Sequence, residues 1–532
     1  MNFNKQQEKV INTIEGNIAV IATAGSGKCI RGDSYIFTNR GMYQIQEIPN
    51  IFSINNNELQ IGLRSLDIKK NMVLTNDSSH FFNMGKSKTI KILTSQGFEI
   101  EGTPEHPIVI LNKEGDIQFK RLDKITKEDI VVININNDIW GNNNLLSENL
   151  SYVIGLLLGD GYLASVDGSL SFSKSDEYIS KKFEEILHSE FSDYSLEITH
   201  SHKCLYDEKS HTVDHRIYNS AFKNLLNEKY GLSMKLSGDK KIPQCILNSD
   251  KGIVKKCLQG LFDTDGSFNS SKNIFEYCTK SLIMARQVHM ILLNFGIVSR
   301  LKVRHNEKLN QDYYHIYIGG SNLRKFAEII GFRYALKKQK DLMNCFNVKI
   351  NDNINVIYNQ SNRLKKIRKE CIGKHYYNSR LGNIIEVGTN INLRINDYTS
   401  GTKNPSHNMI HRILKSIDFS NEDTKYLKFL CDNFFFDKII DINESENEVY
   451  DFTVPNTHSF VGNGFVNHNT TVLTHRIKNM VENHGILPSS ILAITFSRKA
   501  KDNIVSKLEE LQILNANIET FHSFALKIIS ST

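Results

Sequence analysis

Three residues at two distant positions of this 532-residue chain could together cut a polypeptide and rejoin it. Cys29 carries a thiol, the strongest side-chain nucleophile near neutral pH. Asn469 can attack its own peptide carbonyl and cleave the chain after itself, and Thr470 offers a hydroxyl that can receive an acyl group. These residue types at these positions predict that residues 29–469 are excised and that Lys28 is joined to Thr470.

The same two junctions interrupt a phosphate-binding pattern. Residues 18–21 form a mostly β-branched run typical of a buried strand, and the Gly-Ser-Gly-Lys loop that follows ends at Lys28. Such a loop next needs Ser or Thr to bind Mg²⁺, but Cys29 is a poor Mg²⁺ ligand. Joining Lys28 to Thr470 supplies that hydroxyl as the Mg²⁺ ligand. The residues predicted to bind the nucleotide are Ala22, Thr23, Ala24, Gly25, Ser26, Gly27, Lys28, Thr470 and Thr471.

The joined ends, 91 residues in all, resemble the N-terminus of UvrD/Rep-type superfamily 1 DNA helicases. Residues 4–7 match the adenine-reading glutamine motif of that family, which carries over to Gln7. Residues 491–500 match motif Ia, and residues 520–523 match the next motif that contacts single-stranded DNA. The resemblance implies an α/β P-loop NTPase fragment, whose full-length host would use ATP, Mg²⁺ and single-stranded DNA. No Asp-Glu pair follows to supply a second Mg²⁺-site carboxylate, so we expect the chain alone to lack a complete ATPase site.

Four segments of the insert match, in order, the sequence blocks of class 1 inteins: residues 29–34, 102–107, 449–460 and 461–469. The resemblance implies an all-β Hint splicing domain, split into N and C parts, that needs no cofactor. Short β-branched stretches with turn signals occur in residues 29–140 and 421–469, as such a domain requires.

The intein resemblance assigns the splicing chemistry to Cys29, Thr103, His106, Asp451, His458, His468, Asn469 and Thr470. Thr103 and His106 would hydrogen-bond the displaced amide and help to protonate the leaving nitrogen. Asp451 would activate the thiol, and the two later histidines would polarise the peptide bond that the asparagine cleaves. Each residue alone has an ordinary interpretation as a core, turn, strand or surface residue, but the set together with the repaired phosphate loop favours splicing.

Two apolar, helix-like runs inside the insert each end in Asp-Gly, at residues 151–162 and 257–268. A glycine at such an end suits a left-handed helix C-cap, and we expect that conformation at both. A carboxylate at a helix C-terminus is disfavoured by the helix dipole, so its repetition indicates a nearby cation.

These two runs resemble the paired LAGLIDADG motifs of homing endonucleases, which implies an inserted α+β domain. In that family the two helices pack through small residues, here Gly155, Gly159 and Gly260. The terminal acids Asp160 and Asp265 would bind Mg²⁺ and each cut one strand of double-stranded DNA at the insertion site of an intein-free helicase gene. Lys240 would polarise the attacking water.

Residues 321–415 read as basic and loop-rich, with clusters at 337–340 and 363–369. Such clusters fit phosphate contacts along a duplex, and residues 406–417 could form a small recognition helix. A solvated basic surface explains the same composition equally well.

Composition and length predict a soluble, multidomain protein with a net charge of +7. The eight cysteines include no Cys-x-x-Cys pair, which argues against a zinc site or a disulfide framework and for the cytoplasm. Neither a signal peptide nor an apolar run long enough to cross a membrane is evident. The predicted domains are residues 1–28 and 470–532 (helicase), 29–144 and 421–469 (splicing), 145–345 (endonuclease) and 346–420 (DNA recognition).

Three alternatives remain open at the level of sequence. The insert could splice while its endonuclease is inactive, or it could be a DNase with a dead splicing shell. The chain could also be a helicase with a large regulatory insertion, although the broken phosphate loop and the absence of later helicase motifs argue against that.

Overall fold

The computed structural model describes two stretches of the chain. The first is residues 28–468 without 56, 136, 163–168, 175, 203–211, 233–235, 348–354, 374–376, 379–382, 386–391, 395 and 418. The second is residues 477–531 without 479, 496–500, 503, 506–507 and 510–511. The predictions for Gln7, residues 22–27, Asn469, Thr470 and Thr471 therefore lie outside the described residues.

The largest sheet combines strands from both ends of the insert. Its strands are Ile30–Arg31, Tyr35–Thr38, Gly41–Gln44, Gly62–Asp67, Met72–Asp77, His80–Thr94, Glu99–Gly102, Pro107–Leu111, Ile117–Arg121, Ile130–Asn134, Phe434–Thr453, Ser459–Gly462 and Phe465–His468. The longest strand, Phe434–Thr453, pairs antiparallel with His80–Thr94. Because these partners come from opposite ends of the insert, the predicted all-β module split into N and C parts is confirmed.

One part of the predicted β-rich region is helical instead. Residues Glu422–Asn433 form an α-helix that Asn421 caps, since the Asn421 side chain accepts a hydrogen bond from the Thr424 N–H. Leu427 and Leu430 lie on its buried face. The expectation of strands from residue 421 onward was wrong because a capping residue followed by apolar residues at helical spacing prevails over isolated β-branched residues.

An α+β unit with an internal repeat is inserted in the sequence between the N-terminal and C-terminal strands of the large sheet. Its first half contains helix Glu148–Asp160, strands Gly161–Tyr162, Leu170–Lys174, Ile198–His202 and Val213–Ile217, and helices Glu177–Glu190 and Ser220–Glu228. Its second half contains helix Lys251–Asp265, strands Gly266–Asn269, Ile274–Thr279, Arg300–Asn306 and Gln311–Ile318, and helices Leu282–Asn294 and Ser321–Ile329. Each half builds a four-stranded antiparallel sheet with the same strand order, which confirms the predicted inserted α+β fold.

The helices Glu148–Asp160 and Lys251–Asp265, called here the first and second central helices, touch along their backbones. A Cβ atom on Gly155 would lie 2.1 Å from the Cys257 carbonyl oxygen, and one on Gly260 would lie 2.1 Å from the Tyr152 carbonyl oxygen. Any larger residue at either position would force the helices apart, so glycine is required for this close approach.

The expected left-handed caps at the ends of the central helices were wrong. Gly161 has φ −83° and Gly266 has φ −77°, both in the extended region, and each leads directly into a strand. Glycine is needed there for space instead, because a Cβ atom would lie 2.4 Å from the Leu157 carbonyl oxygen and 2.6 Å from that of Phe262, respectively.

Most of the described residues of the basic segment 321–415 lie in helices, so the loop-rich expectation was also wrong. Its elements after helix Ser321–Ile329 are helices Leu336–Met343, Ser361–Gly373, Asn396–Thr399 and His407–Lys415, the 3₁₀ helix Asn344–Asn347, and strands Tyr377–Asn378, Asn383–Ile385 and Asn392–Arg394. Leu364, Ile410 and Ile413 pack in one apolar cluster with Val109 of the β module and with Leu427. The expected helix within 406–417 therefore presents an apolar face to the interior, while its role in recognising DNA stays a prediction.

The C-terminal residues form a separate small α/β element. Strands Leu492–Thr495 and Asn517–Thr520 pair in parallel, and helix Phe521–Ser531 follows. Parallel strands are typical of α/β proteins, in which helices connect them. Across the described part of the chain, no helix combines the length and hydropathy that a membrane span requires.

Candidate functional site

Cys29 lies buried at the start of the first strand of the β module, with 1% of its surface exposed. Its backbone N–H donates a hydrogen bond to Thr103 Oγ1 at 3.2 Å, and the Thr103 N–H donates to the Cys29 carbonyl oxygen at 2.9 Å. Gly102 permits this approach, because a Cβ atom there would lie 2.7 Å from the Cys29 carbonyl oxygen. Thr103 thus contacts the nitrogen that would leave if the Lys28–Cys29 bond broke.

His106 lies beside the same peptide bond and is completely buried. Its Nε2 is 2.8 Å from Oδ1 of Asn467, which lies in the last strand of the β module. Burial lowers the pKa of His106 to about 4, against the opposing effects of Asn467 and the Lys28 backbone. The imidazole is therefore neutral near pH 7 and can accept a proton.

Asp451 and Lys28, the residue that precedes Cys29, are buried ionisable groups that shift each other's pKa. Burial raises the pKa of Asp451 well above its ordinary value, and the Lys28 ammonium opposes that rise. Burial lowers the pKa of Lys28 to about 8, while Asp451 counteracts the decrease. The Phe452 backbone N–H and the Lys28 ammonium both favour the ionised form of Asp451 and so oppose the effect of burial on its pKa.

Lys28→Met should slow formation of a thioester at Cys29 several-fold at neutral pH, since the Lys28 ammonium favours the ionised form of Asp451. Without the ammonium, the pKa of Asp451 rises further and its basic form becomes rarer. The rates of the native chain and of the Lys28→Met variant should converge above about pH 8, where Lys28 itself loses its proton. The rate of thiol-induced cleavage, measured against pH in an Asn469→Ala background, tests this expectation. Lys28→Arg is the matched control and should keep the native profile, whereas an unchanged profile in the Lys28→Met variant would exclude coupling between the two residues.

Of the residues predicted to act at the C-terminal junction, the structure describes His458 and His468, and these two lie near each other. The strands Ser459–Gly462 and Phe465–His468 form a hairpin in which Ser459 pairs with His468. The rings of His458 and His468 are 6.5 Å apart between centroids. Both histidines therefore lie where the chain continues into Asn469, and their polarising roles stay predictions.

A second cluster of charged side chains occupies the ends of the two central helices. Burial, together with the Asp160 carboxylate, raises the pKa of Asp265 to about 7. Lys174, a residue missed in the sequence, donates from Nζ to Asp160 Oδ2 at 2.8 Å. Two neighbouring carboxylates, of which Asp265 is disfavoured in its ionised form, are a donor set suited to a hard divalent cation such as Mg²⁺.

Two lysines cap the central helices in equivalent ways. Lys240 Nζ donates to the carbonyl oxygens of Leu158 at 2.9 Å and Gly161 at 2.7 Å. Lys338 Nζ donates to those of Asp263 at 3.0 Å and Gly266 at 2.7 Å. Both ammonium groups thus satisfy carbonyls at a helix C-terminus and counter its negative dipole end. A further role of Lys240 in polarising water stays a prediction.

Two of the basic residues expected to contact DNA phosphates are engaged within the protein, which corrects that expectation for them. Lys338 caps the second central helix, as described above. Arg363 bridges Asp116 at 2.8 Å and Asp423 at 3.0 Å and so ties its helix to the β module. Lys365, Lys366 and Lys369 remain exposed. The repeated position of a lysine downstream of each Asp-Gly was the signal that could have identified Lys338.

Comparison with known proteins agrees with this architecture. The family model described as intein splicing domain matches residues 35–469, and the model of the UvrD/REP helicase N-terminal domain matches residues 469–532. The chain belongs to the intein splicing domain family, and a helicase-like fragment follows the insert.

Similar proteins include two that are named for DNA replication. The replication factor C small subunit of Methanocaldococcus jannaschii is 29% identical over 352 residues, which cover 65% of this chain and 18% of that protein. The replicative DNA helicase DnaB of Synechocystis sp. is 24% identical over 404 residues, covering 74% of this chain and 44% of that protein. The chain thus spans less than half the length of these relatives.

Solved structures with local similarity include a DnaB intein from Synechocystis sp. PCC 6803, at 19% identity and a TM-score of 0.17, covering 20% of this chain and 67% of that one. The homing endonuclease I-DmoI in complex with DNA and Mn is 15% identical with a TM-score of 0.25, covering 35% of this chain and 97% of that one.

Proposed function

We propose that this intein-containing chain excises residues 29–469 and joins Lys28 to Thr470 without a cofactor. The observation that carries the proposal is the bracketing of Cys29 by Thr103 and by the buried, neutral His106. A thiol, a hydrogen-bond acceptor for the leaving N–H and a proton acceptor then meet at one peptide bond. These are the groups that an acyl shift requires.

In the first step, Cys29 Sγ attacks the Lys28 carbonyl carbon. A C–S bond forms, the C–N bond to Cys29 breaks, and the leaving nitrogen takes up one proton for the one that the thiol loses. Asp451 in its ionised form assists removal of the thiol proton, and Thr103 holds the leaving nitrogen in position.

The remaining steps exchange the acyl group and release the insert. Thr470 Oγ attacks the thioester, so that an ester forms, the C–S bond breaks and the Cys29 thiol regains its proton. The Asn469 side-chain nitrogen then attacks its own carbonyl carbon, closes a succinimide and frees the Thr470 nitrogen. That nitrogen attacks the ester and leaves an amide between Lys28 and Thr470.

We further propose that the α+β unit cuts double-stranded DNA at the empty insertion site with Mg²⁺. The paired Asp160 and Asp265 at the touching central helices support this function, because Mg²⁺ between them would offset their mutual repulsion. An insert whose endonuclease is inactive is the alternative. The hydrogen bonds between Cys29 and Thr103 argue against a DNase whose splicing domain is inactive.

For the host, we propose that the spliced, full-length protein binds ATP, Mg²⁺ and single-stranded DNA as a helicase. The match of residues 469–532 to the UvrD/REP helicase N-terminal domain supports this proposal. A regulatory insertion in a working helicase is disfavoured, because Lys28 is buried beside Asp451 instead of being available to a nucleotide.

Thr470→Ser should splice at a rate within about threefold of the native chain, because Ser supplies the same acyl-accepting hydroxyl. Thr470→Val has a similar shape but no hydroxyl, so its ligated product should fall at least about a hundredfold. Tandem mass spectrometry of the peptide that spans the new junction between Lys28 and residue 470 measures both. Ligation in the Val variant equal to that in the Ser variant would contradict the proposed acyl transfer.

A further inference from the structure

Asn467 is completely buried in the last strand of the β module, two residues before Asn469. Its side chain makes three hydrogen bonds. Oδ1 lies 2.8 Å from His106 Nε2, while Nδ2 donates to the carbonyl oxygens of Phe465 at 2.9 Å and Phe460 at 3.4 Å.

These contacts determine which way the Asn467 amide faces. Carbonyl oxygens can only accept hydrogen bonds, so the NH₂ group must face Phe465 and Phe460. The reversed amide would turn Oδ1 towards two carbonyl oxygens that have no hydrogen to donate, so these buried groups would be left unsatisfied. Oδ1 therefore faces His106.

The direction of the amide in turn determines the position of the proton on the imidazole. Because Oδ1 can only accept, the His106 nitrogen that faces it must be an N–H, and that nitrogen is Nε2. A neutral imidazole carries one N–H, so Nδ1 holds a lone pair. Nδ1 has no hydrogen-bond partner among the described residues, and the Lys28 backbone favours the protonated ring.

We propose that Asn467 is a positioning residue that holds His106 as the Nε2–H tautomer, with the Nδ1 lone pair facing the Lys28–Cys29 peptide bond. The proposal rests on the splicing reaction described above. In that reaction Nδ1 takes up the proton that Asp451 has removed from the Cys29 thiol and passes it to the leaving nitrogen, after which Asp451 is ionised and the ring is neutral again. While the ring is protonated, Asn467 Oδ1 accepts from Nε2–H and the Lys28 backbone favours the charged form.

The test compares Asn467→Val, which has no acceptor, with Asn467→Asp, which keeps an oxygen facing the ring. In an Asn469→Ala background, thiol-induced cleavage before Cys29 should fall at least about tenfold in the Val variant and stay within about threefold of native in the Asp variant, because general acid–base catalysis contributes ~10²–10⁴-fold. In a Cys29→Ala background with Asn469 intact, cleavage after Asn469 should stay within about threefold of native in both. A residue that only supports the strand next to His468 would lower both cleavages together, and that result would overturn the proposal.

The tautomer is read independently by long-range ¹H–¹⁵N correlation of the His106 ring in the Asn469→Ala precursor. We expect a protonated Nε2 and a bare Nδ1 with Asn467 present, and a mixture of tautomers in the Val variant. A protonated Nδ1 in the otherwise native precursor would overturn the proposal. Failure of the splicing proposal looks different, because thiol would then release nothing before Cys29 even with Asn467 intact.

Discussion

An Asn469→Ala precursor should accumulate unspliced, with its Lys28 carbonyl in exchange among the amide, the Cys29 thioester and the Thr470 ester. Asn469 is the residue at the C-terminal junction that can cyclise onto its own carbonyl, so its loss should abolish release of the insert and ligation. The first acyl shift needs Cys29, Thr103 and His106, none of which this substitution changes. Added thiol should therefore cut the chain before Cys29.

Two control variants test whether this cleavage depends on the Cys29 sulfur and on His106. A Cys29→Ala/Asn469→Ala chain should resist thiol completely, because no thioester can form. His106→Ala in the Asn469→Ala background should cut at least about a hundredfold more slowly, in line with the loss of a general acid–base group. Quantified gels and fragment masses measure all three rates. Thiol resistance of the single Asn469→Ala variant would remove Cys29 from its proposed role.

Asp160→Asn and Asp265→Asn should each abolish double-strand cutting of an intein-free helicase gene and leave splicing intact. Loss of a ligand to a catalytic metal removes several kcal/mol of transition-state stabilisation, which corresponds to a fall in rate of at least about a hundredfold. Both acids lie at the ends of the central helices, in a unit separate from the β module that holds Cys29. These substitutions should therefore affect DNA cutting and leave splicing unchanged.

A plasmid with the empty junction is the substrate, and a plasmid in which the insert splits that junction should resist cutting. Asp441→Asn is the control, because this half-exposed carboxylate on the long strand of the β module lies outside the central helices. DNA cutting by the double variant, or loss of splicing in it, would contradict the assignment of cutting to the α+β unit and of splicing to the β module.

Much of this architecture could be inferred from the sequence because chemistry restricts residue types. An excised segment needs a nucleophile at its start and an asparagine at its end, and the broken phosphate loop marks both points. The touching central helices were implied by the resemblance to paired LAGLIDADG motifs, and the structure confirms the close approach at Gly155 and Gly260.

The contacts that tune these sites depended on tertiary structure and could not be inferred. Lys28 was interpreted as a phosphate ligand, and its burial beside Asp451 follows from folding around the junction. Asn467 is separated from His106 by 361 positions along the chain. The helix-end glycines were assigned a left-handed conformation because local sequence does not reveal that Gly161 and Gly266 lead straight into strands.

The intact mass of the purified expression product tests the central claim most directly. The account predicts two species in place of the 60.9 kDa precursor: a free 441-residue insert and a 91-residue chain in which Lys28 is joined to Thr470. Persistence of the full-length mass alone, or release of the insert with separate fragments 1–28 and 470–532 and no joined chain, would contradict it.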